Sequence, residues 1–379
     1  MMEYFVWLSL ALGAGNRRAA KVLTAFPNPE DLYRLSIDQR RELHLFTEKE
    51  LRRLEEVPLK DAVRIVKDCD KRGIKLLAFG GRRYPYCLSV LDDAPVVLYY
   101  LGNLPDFDSL PAITIVGPRK AGEFGKKAAY ALGYRLSRAG MIVVSGGALG
   151  CDTYAHIGAL KARGTTVLVM GCGFGCRYLP ENEPLRRRVA ETGCLMTEYP
   201  PGTPASKYTF PARNRILAAL SVGTVVVEAE QRSGTLITAT HAMEQGRDVF
   251  VIPGSPDLPQ YTGSNALLRD GAKPLLDVSD IFNEYLLRFP DKLDIQRAFE
   301  PVEKTQKQSK SPVHKKLSIE TLSKQAQIVY NQIRKPKFYP EEIEADALTR
   351  EEIVAALTEL EIETLIKALP GGAYALIDE

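Results

Sequence analysis

The sequence lacks long apolar runs and has little excess of charge of either sign. No segment approaches the ~20 consecutive apolar residues that a membrane-spanning helix needs, so we expect no membrane association. The apolar run from Phe5 to Leu12 is short and has neither a basic leader nor a small-residue cleavage site, so we expect no signal peptide. The net charge of +3 excludes a polycation, and any nucleic-acid function must therefore come from local clusters of charge.

The cysteines lack the spacing of a disulfide framework or a zinc site. Six are spread over 379 residues with no C-x-x-C pair: Cys69, Cys87, Cys151, Cys172, Cys176 and Cys194. This pattern is typical of buried thiols in a reducing compartment, and it predicts a cytoplasmic protein. Cys172 and Cys176 are four residues apart without a second pair of ligands, so we predict no metal site.

No catalytic set can be assembled from the sequence. His156 and His241 lie in helical stretches with small apolar neighbours, which favours hydrogen-bonded structural histidines over catalytic bases. Asp152 and Glu198 lie near glycine turns, where each is as well suited to capping a helix or bonding backbone amides. Because no nucleophile, base and orienting group come together, we predict that the protein is not an enzyme and needs no cofactor.

Helical and alternating patterns divide the chain into domains. Its length predicts two or three domains of ~150 residues. Residues 1–75 read as a helical domain, and residues 76–290 alternate short β-branched runs with helical stretches. This alternation predicts an α/β domain with a doubly wound, mostly parallel Rossmann-like sheet. The predicted strands are Val96–Leu101, Ala112–Val116, Met141–Ser145, Thr165–Met170, Thr224–Glu228 and Val249–Ile252.

A glycine turn in the N-terminal region has two interpretations. The turn from Leu12 to Asn16 precedes a basic helix with Arg17, Arg18 and Lys21, and it resembles a helix-hairpin-helix whose glycines approach a DNA backbone. The favoured alternative is a helical interaction domain with a solvated basic face.

The C-terminal part begins with a segment that cannot form a core. We predict a flexible basic linker at 291–318, because residues 303–316 contain five lysines and almost nothing apolar. Helices at Ser323–Ile333 and Thr349–Leu360, followed by a hairpin at 365–377, predict a winged-helix domain at 319–379. Residues 341–379 carry eleven acids and two bases, which disfavours DNA binding and favours docking onto a protein.

Glycine-rich turns follow several predicted strands. They start at Gly117, Ser145, Gly171 and Glu228, and in a parallel sheet they meet at one edge beside helix N-termini. The first turn has neither the G-x-G-x-x-G spacing of dinucleotide sites nor the Ser or Thr that a P-loop needs after its lysine. An edge of backbone amides and arginines is suited to a polyphosphate chain.

The stretch from Lys207 to Arg215 supplies the other groups that a groove for single-stranded nucleic acid requires. It puts three cations, an aromatic ring and an amide within nine residues, whereas a basic stretch alone is typical of solvated surface. Arg213 and Arg215 have an alternative place, paired with Glu198 or Glu228 inside the fold. The predicted DNA-binding residues are Gly117, Arg119, Lys120, Ser145, Gly146, Lys207, Phe210, Arg213, Asn214, Arg215, Ser233, Gly234 and Thr235.

These turns together resemble the DNA-processing protein A family (DprA, also called Smf) from about residue 80 to 280. The matching segments are Gly117-Pro-Arg119, Ser145-Gly-Gly-Ala-Leu-Gly-Cys-Asp152, Ala155-His156, Tyr178-Leu-Pro-Glu-Asn182, Thr197-Glu-Tyr-Pro200, Phe210-Pro-Ala-Arg-Asn-Arg215, Ser233-Gly-Thr-Leu-Ile-Thr-Ala239, Val251-Ile-Pro-Gly254 and Gly263-Ser-Asn-Ala-Leu-Leu-Arg-Asp-Gly-Ala272. The chain departs from the family's usual residues at Pro118, where a serine is usual, at Gly175, where an aspartate is common, and at Thr197, which stands for a serine.

The resemblance implies a function in DNA uptake. It implies a homodimer that binds single-stranded DNA without sequence preference. It further implies that this dimer transfers the DNA to the recombinase RecA and so protects incoming strands during natural transformation. It also implies a strand-binding pocket that uses Arg119, Lys207 and Phe210. For the dimer contact we consider the helix around Leu267 and Leu268, whose leucines are as well suited to packing in the core.

Two other functions stay open. Rossmann-like nucleoside-monophosphate phosphoribohydrolases have a similar layout, but their Pro-Gly-Gly-x-Gly-Thr turn is missing from the strand that ends at Glu228. The other alternative is a protein-interaction scaffold, which predicts no salt-sensitive affinity for oligonucleotides.

Overall fold

The computed structural model describes residues 1–300, 319, 321–345 and 347–377. The lysine-rich stretch predicted at 303–316 lies outside them. The N-terminal region is helical, as predicted. Its helices are α1 (Met2–Leu12), α2 (Ala19–Ala25), α3 (Pro29–Arg34), α4 (Ile37–Glu42), α5 (Glu48–Glu56) and α6 (Leu59–Lys71).

Local sequence signals fix where several of these helices begin. Ser36 and Thr47 each form a capping box, with Gln39 and Glu50 respectively, which satisfies amides that the first helical turn leaves free. Trp7 is fully buried, and its indole nitrogen donates to the Val57 carbonyl at 3.0 Å. This bond joins α1 to the end of α5.

The central part of the chain forms one nine-stranded sheet. Its strands are β1 (Lys75–Ala78), β2 (Val97–Gly102), β3 (Ala112–Val116), β4 (Ile142–Ser145), β5 (Thr166–Val169), β6 (Cys194–Thr197), β7 (Gly223–Val226), β8 (Asp248–Val251) and β9 (Lys273–Pro274), in the order β1-β2-β6-β5-β4-β3-β7-β8-β9. The pairs β1–β2 and β2–β6 are antiparallel, and every other pair is parallel. The predicted α/β class with a largely parallel sheet is confirmed.

Helices cover both faces of the sheet. They are α7 (Tyr86–Ser89), α8 (Glu123–Arg138), α9 (Cys151–Lys161), α10 (Glu183–Thr192), α11 (Thr209–Ala219), α12 (Gly234–Glu244), α13 (Thr262–Arg269), α14 (Ser279–Tyr285) and α15 (Ile295–Phe299). All residues of β3, β4, β5 and β7 are buried, because parallel strands pack against helices on each side. Helices α8 and α9 pack backbone to backbone: a Cβ at Gly158 would lie 2.2 Å from the Tyr130 carbonyl oxygen.

Residues 291–300, which we predicted to be linker, pack on the sheet domain. Leu293 and Ala298 are buried in the same core as Phe282 of α14, and the Asp294 amide donates to the Ala139 carbonyl at 3.0 Å. Ile295 and Ala298 give α15 an apolar face, and Leu293 just before the helix packs in the same core, which accounts for this packing.

The N-terminal helices share a core with the sheet. Trp7 and Leu8 belong to the same buried cluster as Tyr99 of β2 and Leu168 of β5. The glycine turn after α1 has positive φ at Gly13 and Gly15, and a Cβ at Gly15 would lie 3.9 Å from Nε of Arg215. The turn thus faces the α/β domain, which favours the interaction-domain interpretation over approach to a DNA backbone.

The described C-terminal residues form two helices and a small sheet with a core of their own. The elements are α16 (Lys324–Gln332), β10 (Lys337–Phe338), α17 (Arg350–Ile362), β11 (Ile366–Ala368) and β12 (Tyr374–Leu376). The strands are antiparallel in the order β10-β12-β11, so the predicted hairpin is confirmed. Lys161 of α9 contacts the end of α17, and its Nζ donates to the Ile362 carbonyl at 2.5 Å and to the Thr364 hydroxyl.

Candidate nucleic-acid interface

A groove lies where the order of the parallel strands reverses. Strand β3 is central, with β4, β5 and β6 on one side and β7, β8 and β9 on the other. Loops after β3 and β7 therefore diverge at the carboxyl edge of the sheet and leave a crevice there, the usual ligand site of doubly wound folds. The groove has a volume of about 680 Å³, and its lining includes residues from the turns after β3 and β7 and from the start of α11.

Two aromatic rings and a guanidinium group form one wall of the groove. The rings of Tyr178 and Phe210 have centroids 4.7 Å apart and are tilted by 39°. The Arg119 guanidinium carbon lies 5.3 Å from the centroid of the Phe210 ring, a cation–π contact. Gly171 makes room for this arrangement, because a Cβ there would lie 2.5 Å from Cδ1 of Phe210.

The start of α11 fixes the position of Phe210. The Ser206 amide donates to the Thr209 hydroxyl oxygen at 3.1 Å, and the Thr209 amide donates to the Ser206 hydroxyl oxygen at 3.2 Å. This reciprocal pair fixes the turn that leads into α11, whose first residue is Thr209. The ring therefore projects from a fixed first turn of α11 rather than from a loop.

Three exposed cations lie at or beside the groove. Arg119 and Lys207 line it, whereas Lys120 is exposed next to Arg119 and does not line it. None of the three forms an ion pair with any residue that the structure describes. Lys207 Nζ lies 5.1 Å from the centroid of the exposed Tyr208 ring. These charges are therefore available to an anionic ligand.

Arg213 lines the groove from below but uses its donors inside the fold. It is 5% exposed, and its Nη1 donates to the Gly146 carbonyl at 2.9 Å and to the Val169 carbonyl. Burial lowers the pKa of Arg213 and raises the pKa of Asp152, and the attraction between the two charges opposes both shifts. Asp152 also accepts from the Ala148 amide at 3.1 Å. The pair holds the floor of the groove in place.

Arg215 is paired with a carboxylate inside the fold, which is the alternative predicted for it from the sequence. Its Nη2 and Nη1 donate to the two Glu198 carboxylate oxygens at 2.7 and 2.8 Å, and its Nε lies 3.1 Å from Oδ2 of Asp93. It is not among the residues that line the groove. Helical geometry separates it from Phe210, because residues five apart on a helix lie on different faces.

Some of the other predicted site residues line the groove, and the rest lie in the layer of residues behind its lining. Gly117, Asn214, Ser233, Gly234 and Thr235 line the groove, and Ser233 caps α12 by accepting from the Thr235 amide at 3.2 Å. Ser145 is buried behind the lining, where its hydroxyl donates to the Ile115 carbonyl at 2.7 Å. Gly146 is behind it too, accepting from Arg213.

Tyr178 lines the groove, although it was absent from the predicted binding residues. It belongs to the segment Tyr178–Asn182 that carried part of the family resemblance, and this was the available signal. His156 is fully buried, where its Nδ1 shares a hydrogen bond with the Thr166 hydroxyl at 2.7 Å. Burial lowers the pKa of His156 to about 3, which suits a structural histidine.

Among the residues that the structure describes, no three His, Cys, Asp or Glu side chains come together as metal ligands. No helix in that part of the chain is both long and apolar enough to span a bilayer. All six cysteines are free thiols.

Comparison with known proteins supports the resemblance. The model of the family described as DNA recombination-mediator protein A matches residues 75–286. The DNA processing protein DprA of Bacillus subtilis is 38% identical over 221 residues, which cover 58% of this chain and 74% of that protein. DprA of Streptococcus pneumoniae is 41% identical over 202 residues, covering 53% and 71%.

Two solved structures are similar to more than half of this chain. The X-ray structure of DprA from Streptococcus pneumoniae superposes with a TM-score of 0.66 at 32% identity, over 75% of this chain and 98% of that one. A structure of DNA processing protein A from Helicobacter pylori, described for its single-stranded DNA binding mode, has a TM-score of 0.52 at 28% identity, over 57% and 96%. Because the family match spans more than half of the chain and includes every turn that lines the groove, the chain belongs to the DNA recombination-mediator protein A family.

Proposed function

We propose that this chain is a cytoplasmic protein that binds single-stranded DNA in the groove, without sequence preference and without cleaving it. It protects incoming strands and transfers them to the recombinase RecA during natural transformation. The observation that carries the proposal is the wall in which Arg119 lies over Phe210 beside Tyr178, with no carboxylate paired to that arginine in the described chain. Family membership and the single-stranded DNA binding described for the Helicobacter pylori protein support it.

Each group in the groove has a distinct task in this proposal. Arg119 and Lys207 neutralise phosphates, because both are exposed and free of ion pairs in the described chain. Phe210 and Tyr178 offer ring faces to unpaired bases, a contact that any base can make. The Gly234 amide, where α12 begins, has no partner in the described chain and adds a donor for a further phosphate, whereas the amides of Ser233 and Thr235 are used inside the fold. Lys120 lies beside this path, next to Arg119.

The aromatic wall predicts selection for single strands. In a duplex the base faces are stacked on one another, so the two rings have nothing to stack on. A duplex also presents only its phosphates to the cations, which bind without discrimination. We therefore expect weak binding of duplex DNA that depends on salt, and tighter binding of single strands with an added contribution from stacking.

The described groove also supports binding rather than catalysis. The one carboxylate in its lining is Asp152, which is buried and engaged with Arg213 and the Ala148 amide. A carboxylate held in this way is poorly placed to act on a substrate in the groove. Release of free base from a nucleoside monophosphate would revive the phosphoribohydrolase alternative.

The decisive experiment is a salt titration with single- and double-stranded oligonucleotides of one sequence. We expect a steep dependence on salt for both and tighter binding of the single strand. Phe210→Ala should weaken single-strand binding about tenfold, because stacking contributes ~1–3 kcal/mol per base. Arg119→Ala should weaken binding and also reduce the salt slope, by about one counterion.

The chain contains a matched control for these variants. Arg135 lies over the Phe299 ring at 5.4 Å, nearly the distance of the Arg119–Phe210 pair, but it is on the far end of α8 and pairs with Asp277 at 3.4 Å. Arg135→Ala and Phe299→Ala should leave affinity unchanged. Equal affinities of the groove variants and the wild type would remove the site, and equal affinity for single strands and duplexes would remove the function.

We also propose a homodimer and a separate docking role for the C-terminal module. Leu267 of α13 is buried in the core, whereas Leu268 is only partly buried, so Leu268 is the residue we propose for a dimer contact. A Leu268→Glu variant should shift the protein towards monomer in sedimentation.

We propose that the acidic residues 319–379 form a winged helix that binds protein rather than DNA. Deletion of 319–379 should therefore leave oligonucleotide affinity intact.

A further inference from the structure

A second cavity lies at the opposite end of the central strand. Strand β3 ends at the groove with Val116 and begins with Ala112, which lines a cavity of about 460 Å³. Loops before β3 and β7, the loops after α12 and α14, and helix α7 surround it. We call it the β3-entry cavity, and its size is within the range of small-molecule sites.

Two arginines in this cavity have unused donors. Arg247 contacts the Ala219 carbonyl only at 3.5 Å through Nη2, and its Nε is buried without a hydrogen-bond partner. Arg288 is exposed, and its guanidinium carbon lies 5.3 Å from the centroid of the Phe289 ring. Neither arginine forms an ion pair with any residue in the described ranges. Both arginines therefore keep donors that no residue of the described chain uses, and an anion can accept from such donors.

Aromatic and apolar side chains complete the cavity. Tyr86 is 68% exposed, so its ring is accessible to a ligand. Phe107, Leu110 and Val90 line the cavity as well, over a floor that ends at Val222. The cavity therefore combines two arginines that can bind an anion with an apolar lining and the exposed ring of Tyr86.

We propose that the β3-entry cavity binds a nucleotide, with the phosphate on Arg247 and Arg288 and the base against Tyr86. Forked guanidinium donors match phosphate oxygens, and a tyrosine face stacks on any base. An acidic peptide fits less well, because its carboxylates come with no base to stack on the Tyr86 ring. The nucleotide is either a free nucleoside phosphate or one unit of a longer strand, since both present the same phosphate and ring.

The test uses full-length protein with the groove disabled by Arg119→Ala and Phe210→Ala together. Calorimetric titration with deoxyadenosine 5′-monophosphate and with an oligodeoxyadenylate 12-mer then reports mainly on the second site, and the variants below assign the signal to it. In this background Arg288→Ala and Tyr86→Ala should each weaken binding about tenfold or more. Arg52→Ala, which removes an exposed arginine on α5, is the matched control and should change nothing.

The two ligands distinguish the sources of the nucleotide. If the monophosphate and the 12-mer bind the cavity with similar affinity, the ligand is a free nucleoside phosphate. If the 12-mer binds much more tightly, the ligand is a strand that continues beyond the cavity. The proposal is overturned if neither ligand binds, if Arg288→Ala and Tyr86→Ala have no effect, or if an oligoglutamate peptide binds more tightly than both ligands. Because the readout depends on Arg288 and Tyr86, it stands even if the groove variants turn out not to affect DNA binding.

Discussion

Arg215 and Glu198 form a two-point ion pair in the interior of the protein. The residues are 3% and 4% exposed, and the two nitrogen–oxygen distances are 2.7 and 2.8 Å. The pair stabilises the contact between α11 and the segment after β6, and Gly15 of the N-terminal turn lies against it. The arginine is therefore part of the fold, although its position in a basic stretch favoured a DNA contact.

Removal of one partner of this pair should destabilise the protein strongly. Glu198→Gln removes the two-point carboxylate partner of the buried Arg215 and leaves only Asp93, 3.1 Å from Nε, so we expect the free energy of unfolding to fall by at most ~3–5 kcal/mol. Urea denaturation measures this loss. Glu244→Gln, at an exposed position on α12, is the control and should have little effect. A loss below 1 kcal/mol at Glu198 would show that the pair does not support the fold.

A methyl group at Gly171 should disturb the aromatic wall without removing any ring or charge. In Gly171→Ala the new Cβ would lie 2.5 Å from Cδ1 of Phe210, so the Phe210 ring must shift. We expect oligonucleotide affinity to fall roughly three- to tenfold, as part of the stacking contribution is lost. In the control, Gly122→Ala, the added methyl meets no atom within 4 Å. Equal affinities of the two variants would count against the wall as a stacking surface.

Acidification should weaken the fold through His156. Burial lowers the pKa of this histidine in the folded protein to about 3, below its ordinary value of about 6.5. The unfolded chain therefore binds the extra proton between these pH values, and the stabilisation present above pH 6.5 is lost as the pH falls towards 3. The free energy of unfolding should decline by at most ~1.4 kcal/mol per pH unit from this residue.

Urea denaturation at pH 7.5, 6.5 and 5.5 isolates this effect from the protonation of ordinary carboxylates. His156→Gln should be less stable than the wild type at pH 7.5, because the Thr166 hydrogen bond is altered. Its stability should nevertheless depend less on pH between 7.5 and 5.5. The same slope in both proteins would contradict the assignment of the pH dependence to His156.

Lys161 should hold the C-terminal module against the α/β domain. Its Nζ bonds the Ile362 carbonyl and the Thr364 hydroxyl, and burial lowers its pKa to about 8. Lys161→Met keeps the apolar stem but removes the donors, so hydrogen exchange should accelerate at 350–377 and stay unchanged in the central strands. Lys60→Met on α6 is the exposed control. Unaltered exchange in the module would show that other contacts hold it.

The sequence predicted the sheet well where strands are long and β-branched. The run at 112–116 gave the bounds of β3, and the other predicted strands lie within two residues of the observed ones at each end. Strands β1, β6 and β9 were missed. The four residues of β6, Cys-Leu-Met-Thr, include only one β-branched side chain, and β9 has two residues. Such short strands depend on pairing with neighbours that are distant in sequence, which no local pattern reveals.

The candidate site was predictable in composition but not in orientation. The glycine turns and Phe210 meet in one groove because the carboxyl ends of parallel strands lie at the same edge of the sheet. This rule could be applied from the sequence, since the parallel strands were predicted. Which way each arginine of α11 points depends on the packing of that helix, and a stretch of three cations carries no information on it. The β3-entry cavity could not be predicted from the sequence, because Tyr86, Arg247 and Arg288 are far apart in the chain and come together only in the folded structure.

The central place of β3 has a consequence for how ligands are received. Every residue of this strand is buried, and it is hydrogen-bonded to β4 on one side and β7 on the other. Opening it requires disruption of the whole sheet, so its amides should be among the slowest in the molecule to exchange with deuterium. Arg119 follows this strand by three residues. In the function proposed above, a DNA strand that enters the groove would meet a cation placed just beyond a strand that cannot open on its own.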